Sequence, residues 1–331
     1  TQPKGAYTGN DPIHPYLDRW ARVAQENEQN RFDLAAGLQA ATEICLKNIL
    51  KSMINNLNLK DVNLCLAGGV SLNSVAVGKI KSWVPEIKNI YVTPVPHDGG
   101  LSVGAAQYVW HQILDNPRIE WEDNFSPYLG YKYIRSHIEK AIELKTELIE
   151  TQVANDEDVL ELLNDQKIIA VFGGGSESGR RALGNRSILA DPRSPTMKDT
   201  INEKVKHRQW YRPFAPSILR EEVKNWFTED QNSPYMSFVL KFKDEVKDKV
   251  PAVLHFNNSA RLQTVTEEDN KWYYNFIKKW HSISGVPIVL NTSFNDREPI
   301  CETAEHALGC FLRTDIDYLY FYDENILVRK R

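Results

Sequence analysis

A dense group of cationic side chains lies between residues 173 and 216, set among glycines and prolines. Its members are Arg181, Arg186, Lys206, Arg208 and Arg212. Glycine lets backbone N–H groups approach a ligand closely, and guanidinium groups hold oxygens in pairs. These cations do not recur at the spacing of a solvated helix face. The composition therefore predicts a site for a polyphosphate.

The glycine run at 173–175 is, by itself, also typical of a flexible turn followed by surface charge. The run from Arg181 to Arg186, Arg-Ala-Leu-Gly-Asn-Arg, favours the binding interpretation. The spacing from Gly174 to Gly179 is similar to a P-loop, but arginines stand where Lys and Ser/Thr are required. We expect a phosphate site without a Walker motif.

Other segments add polar groups at strand ends and turns. Residues 259–265 supply Arg261, and residues 289–295 supply amides and hydroxyls suited to carbonyl and ribose groups, although such residues also form turns. Residues 66–73 fit either a nucleotide-facing loop or a tight turn. Asp98 could bind a hard metal or transfer a proton, but one carboxylate alone does not make a metal site. His255 is expected to be packed or solvated rather than catalytic, and Glu177 could be a surface charge.

The elements that must position these residues follow an α/β pattern with two units, as a length of 331 residues suggests. We expect a first domain at 1–115, a linker with a helical connector at 116–155, and a second domain at 156–331. Predicted helices cover residues 31–53, 70–77, 101–113, 156–164, 271–282 and 303–312. Predicted strands cover residues 61–67, 89–93, 167–172, 237–243, 287–290 and 318–320.

Composition excludes several classes of protein. Hydrophobic residues make up 42% and charged residues 25%, and no apolar run is long enough for a membrane helix, so we expect a cytoplasmic protein without membrane partners. The net charge of -4 disfavours general nucleic-acid binding. The four cysteines lack zinc or redox spacing and are expected to be buried free thiols. Serine hydrolase and zinc peptidase motifs are missing from the sequence.

Five ordered motifs resemble the O-carbamoyltransferase family of the NodU and CmcH type. The longest is Arg181-Ala-Leu-Gly-Asn-Arg-Ser-Ile-Leu-Ala-Asp-Pro-Arg193. The others lie at residues 205–208, 212–216, 260–265 and 290–295, and the resemblance extends from about residue 32 to the C-terminus. It implies the C-terminal part of an actin-like ATPase-fold (ribonuclease H-like) domain, followed by a YrdC-like α/β domain with a twisted mixed sheet.

The resemblance also implies an activity, with substrates and cofactors. The YrdC-like domain would convert carbamoyl phosphate and ATP, with Mg2+, into carbamoyl adenylate, releasing phosphate and pyrophosphate. The first domain would pass the carbamoyl group to a hydroxyl of a small-molecule acceptor, using a divalent metal such as iron if the remaining ligands are present. A homodimer is compatible with this expectation.

Site residues are carried over from the matching motifs. The catalytic set is Arg181, Lys206, Arg212 and Arg261. The residues expected to bind substrate or ATP are Arg186, Arg208, Asn291, Ser293, Asn295, Gly68, Gly69 and Asn73. Asp98 would be a metal ligand in the transfer site.

Departures from the family pattern leave alternatives open. The family's metal-binding histidine pair would lie upstream of residue 1, so we expect only part of the first domain here. The family's Gly-Arg-x-Glu-x-Gly-Pro-Arg stands as residues 174–181 without one arginine and the proline, and its Asp-Gly-Thr stands as Asn257-Asn-Ser259. One alternative is a noncatalytic YrdC-like module that binds nucleotide or RNA. Another is an enzyme related to tRNA threonylcarbamoylation, which would use threonine and bicarbonate.

Overall fold

The computed structural model describes residues 14–118 and 126–331. The chain divides into two compact units. The first contains the described residues up to Asn63, together with Lys79–Asn89. The second contains Leu64–Gly78 and the described residues from Ile90 onward. Residue 115, where we predict the first domain to end, lies inside the second unit.

The N-terminal part of the described chain alternates helices with two short strands. Its elements are α1 (His14–Glu26), α2 (Glu28–Leu57), β1 (Val62–Leu66), α3 (Ser74–Trp83), β2 (Ile87–Val92) and α4 (Gly100–Tyr108). α2 begins where the Asn27 side chain accepts the N–H of Asn30, and it ends at Asn58 in the left-handed conformation. A 3-10 turn, Gly69–Leu72, precedes α3, and a π-helical turn, Val109–Ile113, extends α4. The predicted strands are confirmed, whereas the helix predicted at 70–77 is divided between the turn and α3.

The second unit contains a nine-stranded sheet. Its helices and strands are α5 (Arg135–Glu143), β3 (Ile149–Val153), α6 (Asp156–Asn164), β4 (Ile169–Phe172), β5 (Arg186–Ala190), α7 (Met197–Lys204), β6 (Ala215–Leu219), α8 (Val223–Trp226), β7 (Phe238–Lys241), β8 (Ser259–Val265), α9 (Lys271–Ser284), β9 (Ile288–Ser293), α10 (Ala304–Arg313), β10 (Tyr318–Phe321) and β11 (Ile326–Lys330). The strand order is β3-β11-β10-β4-β5-β9-β6-β8-β7. β10 with β4 and β6 with β8 are parallel, and the other pairs are antiparallel. The predicted α/β class with a mixed sheet is confirmed.

The predicted linker at 116–155 needs a correction. Its part from residue 135 onward contains α5 and β3, and β3 pairs with β11 as an edge strand of the sheet. Residue Ile149 is buried, while Thr151 to Val153 are exposed. An edge strand with so few buried side chains has too weak an apolar pattern to be recognised in the sequence.

Strand register divides the side chains between the two faces of the sheet. On one face, Leu189, Val289, Leu219 and Val265 pack in one core with α6 and α9. Farther along these four strands, the side chains on the same face become polar. They are Ser187 on β5, Ser217 on β6, Gln263 on β8 and Asn291 on β9. The strands that form the hydrophobic core therefore also carry a polar area, and the core holds that area in place.

Candidate anion-binding site

A cavity of about 380 Å³ lies where this sheet face becomes polar. Arg261 from β8 and Asn291 and Ser293 from β9 contribute to its wall, with Ala215 from β6. Five arginines line it: Arg180, Arg181, Arg208, Arg212 and Arg261. Among the residues that the structure describes, no Asp or Glu lines this cavity. Such an excess of guanidinium groups is suited to an anion with several charges.

The loop that carries Arg180 and Arg181 is held by a buried carboxylate. Glu177 Oε1 accepts the backbone N–H groups of Leu183 at 2.8 Å and Asn185 at 2.9 Å. Burial raises the pKa of Glu177, and these N–H groups oppose that effect. The expectation that Glu177 is a surface charge was wrong. A carboxylate inside a glycine-rich loop can accept hydrogen bonds from the unpaired N–H groups of that loop. Its place among the glycines was therefore the sequence signal for this role.

Gly184 allows the backbone of the same loop to adopt its conformation. Its φ is +122°, which L side chains rarely adopt, and an added Cβ would lie 2.5 Å from the ring of Tyr273. Tyr273 is fully buried in α9. The arginine-bearing loop is therefore fitted directly against the hydrophobic core.

The guanidinium groups of the cavity affect one another. Burial, together with the positive charges of Arg181 and Arg208, lowers the pKa of Arg261 to about 9. Burial, with the charge of Arg212, lowers the pKa of Arg208 to about 10. Burial and Arg261 lower the pKa of His255 to about 4, so its imidazole is neutral at pH 7. A bound anion would relieve the repulsion among these like charges.

A helix N-terminus adds to the positive potential. Ser74 and Val75, the first residues of α3, line the cavity. Asn73 begins this helix, because its Oδ1 accepts the N–H of Ala76 at 3.2 Å. Helix N-termini carry a partial positive charge and unpaired N–H groups, both of which favour anions.

Lys206 lies beside a second cavity of about 430 Å³, which shares Arg208, Arg212 and Ser293 with the first. Its Nζ donates to the backbone oxygens of Ser293 at 2.6 Å and Asn295 at 2.7 Å, and to Asn295 Oδ1 at 2.8 Å. Burial, with the charge of Arg208, lowers the pKa of Lys206 to about 7. The lysine thus fixes the end of β9 next to the arginines.

Most of the predicted activation residues come together. Arg181, Arg208, Arg212, Arg261, Asn291 and Ser293 line the first cavity, and Lys206 and Asn295 line the second. Arg180 also lines the cavity, and Ser217 and Gln263 lie beneath it; none of the three was predicted from the sequence. Alternation along β6 and β8 was the signal for the last two, since each lies on the same face as Arg261.

Arg186 was predicted to bind substrate or ATP, but it does not line the cavity. It is fully buried, lies over the ring of Phe172 at 3.6 Å from the ring centroid, and donates to the oxygen of Gly173 at 2.6 Å. Arg186 is paired with Phe172 in the sheet register, so both point to the face opposite Ser187. Side chains alternate along a strand, and Arg186 therefore cannot share the cavity on the other face.

The residues predicted for the transfer site lie apart from the arginine-lined cavity. Gly68, Gly69 and Asn73 do not line it, although Asn73 caps the helix that does. Gly68 has a φ of +92°, and an added Cβ at Gly68 or Gly69 would contact no atom within 4 Å. Asp98 is exposed, and among the described residues it belongs to no group of three possible metal ligands. Its role as a ligand stays a prediction.

A group of three possible metal ligands occurs elsewhere, at Glu298, Cys301 and Cys310, whose ligand atoms lie within 4.8 Å of one another. The Glu298 carboxylate is already paired with Arg313 at 2.8 Å. Cys301 and Cys310 are buried free thiols as predicted, but Cys45 and Cys65 are exposed, contrary to expectation.

Comparisons with known proteins agree with the motif pattern. The family model described as Carbamoyltransferase C-terminus matches residues 160–330, and Carbamoyltransferase N-terminus matches residues 5–107. The chain is 37% identical to an uncharacterized protein of Synechocystis sp., over 91% of this chain and 53% of that protein. It is 37% identical to nodulation protein NolNO of Sinorhizobium fredii, over 97% of this chain and 48% of that protein. The chain spans about half the length of the curated relatives it matches.

Solved structures are more distant. HypF of T. kodakarensis matches with a TM-score of 0.36 and 15% identity, over 55% of this chain and 23% of that one. Likeness at this level does not establish a shared fold. In the described parts of the chain, no helix is both long and apolar enough to cross a bilayer.

Proposed function

Because the chain belongs to the carbamoyltransferase family, we propose that its arginine-lined cavity activates a carbamoyl group with ATP. The observation that carries this proposal is the set of five arginines around one cavity, with no acid among its described lining residues. We assign residues 135–331 to a YrdC-like adenylate-forming domain. We assign residues 1–115 to part of an actin-like transfer domain.

The reaction consumes one water molecule. Carbamoyl phosphate and water give carbamate and phosphate, and a carbamate oxygen then attacks the α-phosphorus of ATP. The bond from that phosphorus to the bridging oxygen breaks, and pyrophosphate leaves. Arg181, Arg212 and Arg261 would stabilise the charge that moves onto pyrophosphate. In the transfer step, a hydroxyl of a small-molecule acceptor would attack the carbamoyl carbon and release AMP.

The proposed metals fit the described residues differently. Mg2+ prefers oxygen ligands, and the cavity offers no carboxylate, so Mg2+ would be bound mainly through the ATP phosphates. It would supply further charge neutralisation there. For iron or another divalent metal in the transfer domain, Asp98 alone is an insufficient ligand set.

The test is pyrophosphate release that depends on carbamoyl phosphate. Arg212 is exposed, so Arg212→Met should leave the fold intact and reduce the rate by about 10²-fold. Arg329→Met is the matched control, since Arg329 pairs with Glu150 on a different part of the surface. No release from a well-folded wild-type protein would contradict the proposal. Release driven by threonine and bicarbonate, or salt-sensitive RNA binding without ATP turnover, would favour one of the alternatives.

A further inference from the structure

Two buried cysteines and a glutamate lie together where β9 connects to α10. Cys301 precedes α10 and Cys310 lies inside it, and their exposed fractions are 1% and 0%. Glu298 lies in the loop 294–301 between β9 and α10, and its side chain is 33% exposed. The possible ligand atoms of the three residues lie within 4.8 Å of one another. None of the three lines the arginine-lined cavity or the second cavity beside it.

The three side chains contact one another directly. The Glu298 carboxylate accepts a hydrogen bond from the Cys310 thiol, and the thiols of Cys301 and Cys310 are also hydrogen-bonded to each other. A buried cysteine commonly packs as a small apolar residue, but that role does not require a carboxylate beside the thiol. Two thiols and a carboxylate around one point form a donor set that binds metal ions.

The spacing of the ligand atoms suits a tetrahedral ion. Zn–S bonds of about 2.3 Å place two sulfur ligands about 3.8 Å apart, so atoms that lie within 4.8 Å need to approach by about 1 Å at most. Thiolates favour Zn2+, whereas Mg2+ and Ca2+ bind oxygen ligands. Because the Glu298 side chain is partly exposed, water can reach the fourth coordination position from that side.

Two cations balance the charge of such a complex. Zn2+ with two thiolates and one carboxylate carries one net negative charge. Arg313 Nη2 lies 2.8 Å from Glu298 Oε1. Burial lowers the pKa of Lys206, and the charges of ionised Cys310 and Cys301 oppose that effect, so Lys206 also lies close to the site. Carboxylates that bind metals commonly have a second partner that orients them, and the pair with Arg313 is therefore compatible with metal binding.

An ion at this position would restrain the loop 294–301. Cys301 donates its N–H to the oxygen of Phe294 at 2.9 Å and so closes the loop. Asn295 and Asp296 of the loop line the second cavity. The buried face of α10 packs against β4 and β10. An ion bound by both the loop and α10 would therefore fix one wall of the second cavity to the hydrophobic core.

We propose that Glu298, Cys301 and Cys310 bind one Zn2+, which fixes the loop 294–301 to α10. Two Zn–S bonds and one Zn–O bond form, each thiol loses its proton to solvent, and a water molecule takes the fourth position. Burial of the sulfur atoms is compatible with this role, because structural zinc binds as the chain folds around it. The ion takes no part in the proposed adenylation.

The experiment uses the whole chain with Cys45→Ser and Cys65→Ser. These substitutions remove the two exposed cysteines, so Cys301 and Cys310 are the thiols that remain in the sequence. Metal-free protein, prepared with a chelator and a phosphine reductant, is titrated with Co2+ as a spectroscopic probe. We expect one Co2+ per chain, with a thiolate-to-cobalt charge-transfer band and the strong visible bands of a tetrahedral ion. Zn2+ should displace Co2+ and abolish these bands, because Zn2+ binds more tightly.

Variants in the same background test each ligand. Cys301→Ser and Cys310→Ser should each weaken Co2+ binding by about 10²-fold or more, because one of the two thiolates is lost. Glu298→Gln should keep the charge-transfer band and bind about tenfold more weakly. Asp296→Asn is the matched control for Glu298, since Asp296 lies in the same loop but outside the group of three, and it should leave the affinity unchanged. If the serine variants of Cys301 and Cys310 do not fold, the spectrum of the background protein decides the matter.

Hydrogen exchange tests the effect on the loop. Zn2+ should slow amide exchange in residues 294–301 by about tenfold and leave exchange in β7, at one edge of the sheet, unchanged. Equal exchange with and without Zn2+ would overturn the role in fixing the loop.

The spectra can overturn the site itself. A background protein that shows no charge-transfer band with Co2+ does not bind metal through these thiols. Bands of unchanged intensity and affinity in both Cys301→Ser and Cys310→Ser would also refute the proposal. Neither measurement depends on pyrophosphate release, so a failure of the proposed function leaves this test unaffected.

Discussion

Replacing Arg261 by methionine should stabilise the protein and weaken its binding of anions. Arg261 is held near Arg181 and Arg208, and its buried Nε has no partner among the described residues. Its pKa falls from 12.5 to about 9, so both the folded and the unfolded chain carry the charge at pH 7. Without screening by solvent, holding that charge in the folded state would cost about 5 kcal/mol. Water in the cavity screens part of this cost, and we expect Arg261→Met to gain about 2 kcal/mol.

Urea unfolding at pH 7, with and without pyrophosphate, measures both effects. At a concentration of about 100 times its Kd, pyrophosphate should stabilise wild type by about 2.7 kcal/mol. Loss of one buried charged donor should weaken binding by about 10 to 100-fold, leaving Arg261→Met with about 1 kcal/mol of ligand stabilisation. Arg329→Met, whose side chain is 58% exposed in wild type, should change each quantity by less than about 0.5 kcal/mol.

Two results would refute this reasoning. One is a free energy of unfolding for Arg261→Met that is below the wild-type value without pyrophosphate. The other is an equal stabilisation of both proteins by pyrophosphate. Either would mean that Arg261 supports the structure and does not bind anions at a cost in stability.

Three further predictions concern pH and the loop that carries the arginines. Because the pKa of His255 falls from 6.5 to about 4 on folding, its contribution to stability should be fully present above pH 6.5 and decrease by about 3 kcal/mol toward pH 4. Urea unfolding of His255→Gln at different pH values should lack that slope. Glu177→Leu should destabilise by about 3 kcal/mol or more, because backbone N–H groups lose their acceptor, whereas Glu177→Gln keeps an acceptor oxygen and should retain most of the stability in the same assay. Gly184→Ala should lower the free energy of unfolding by about 3 kcal/mol or more, because the added methyl group would clash with Tyr273. The control is Gly285→Ala, where φ is +71° but no atom lies near the added Cβ, and it should cost about 1 kcal/mol. Equal costs for the two variants would argue against the steric explanation.

The sequence predicted the elements with strong periodicity and the gathering of distant cations. The helix at 156–164 has the predicted limits, and its Asn155 and Asp158 form a capping box. The edge strand at Ile149–Val153 was missed because few of its residues are buried. Residues from β8, β9 and the two loops before β5 and β6 line one cavity, as their composition indicated.

The sequence did not reveal which members of a motif line the cavity. Arg181 and Arg186 belong to one run, yet the first lines the cavity and the second stacks on Phe172. At the end of the same run, Asp191 and Arg193 pair with each other at 2.7 Å and have a structural role. Strand direction and register decide such assignments, and both depend on which strands become neighbours.

The same strands form both the hydrophobic core and the arginine-lined cavity, so heating should disrupt the two together. β6, β8 and β9 each contribute one end to the packing under Phe276 and Trp280 and the other end to the cavity wall. The cavity wall formed by these strands cannot melt while that packing survives. Loss of anion binding on warming should therefore coincide with cooperative unfolding of the whole sheet, and the protein should keep its affinity until the transition begins.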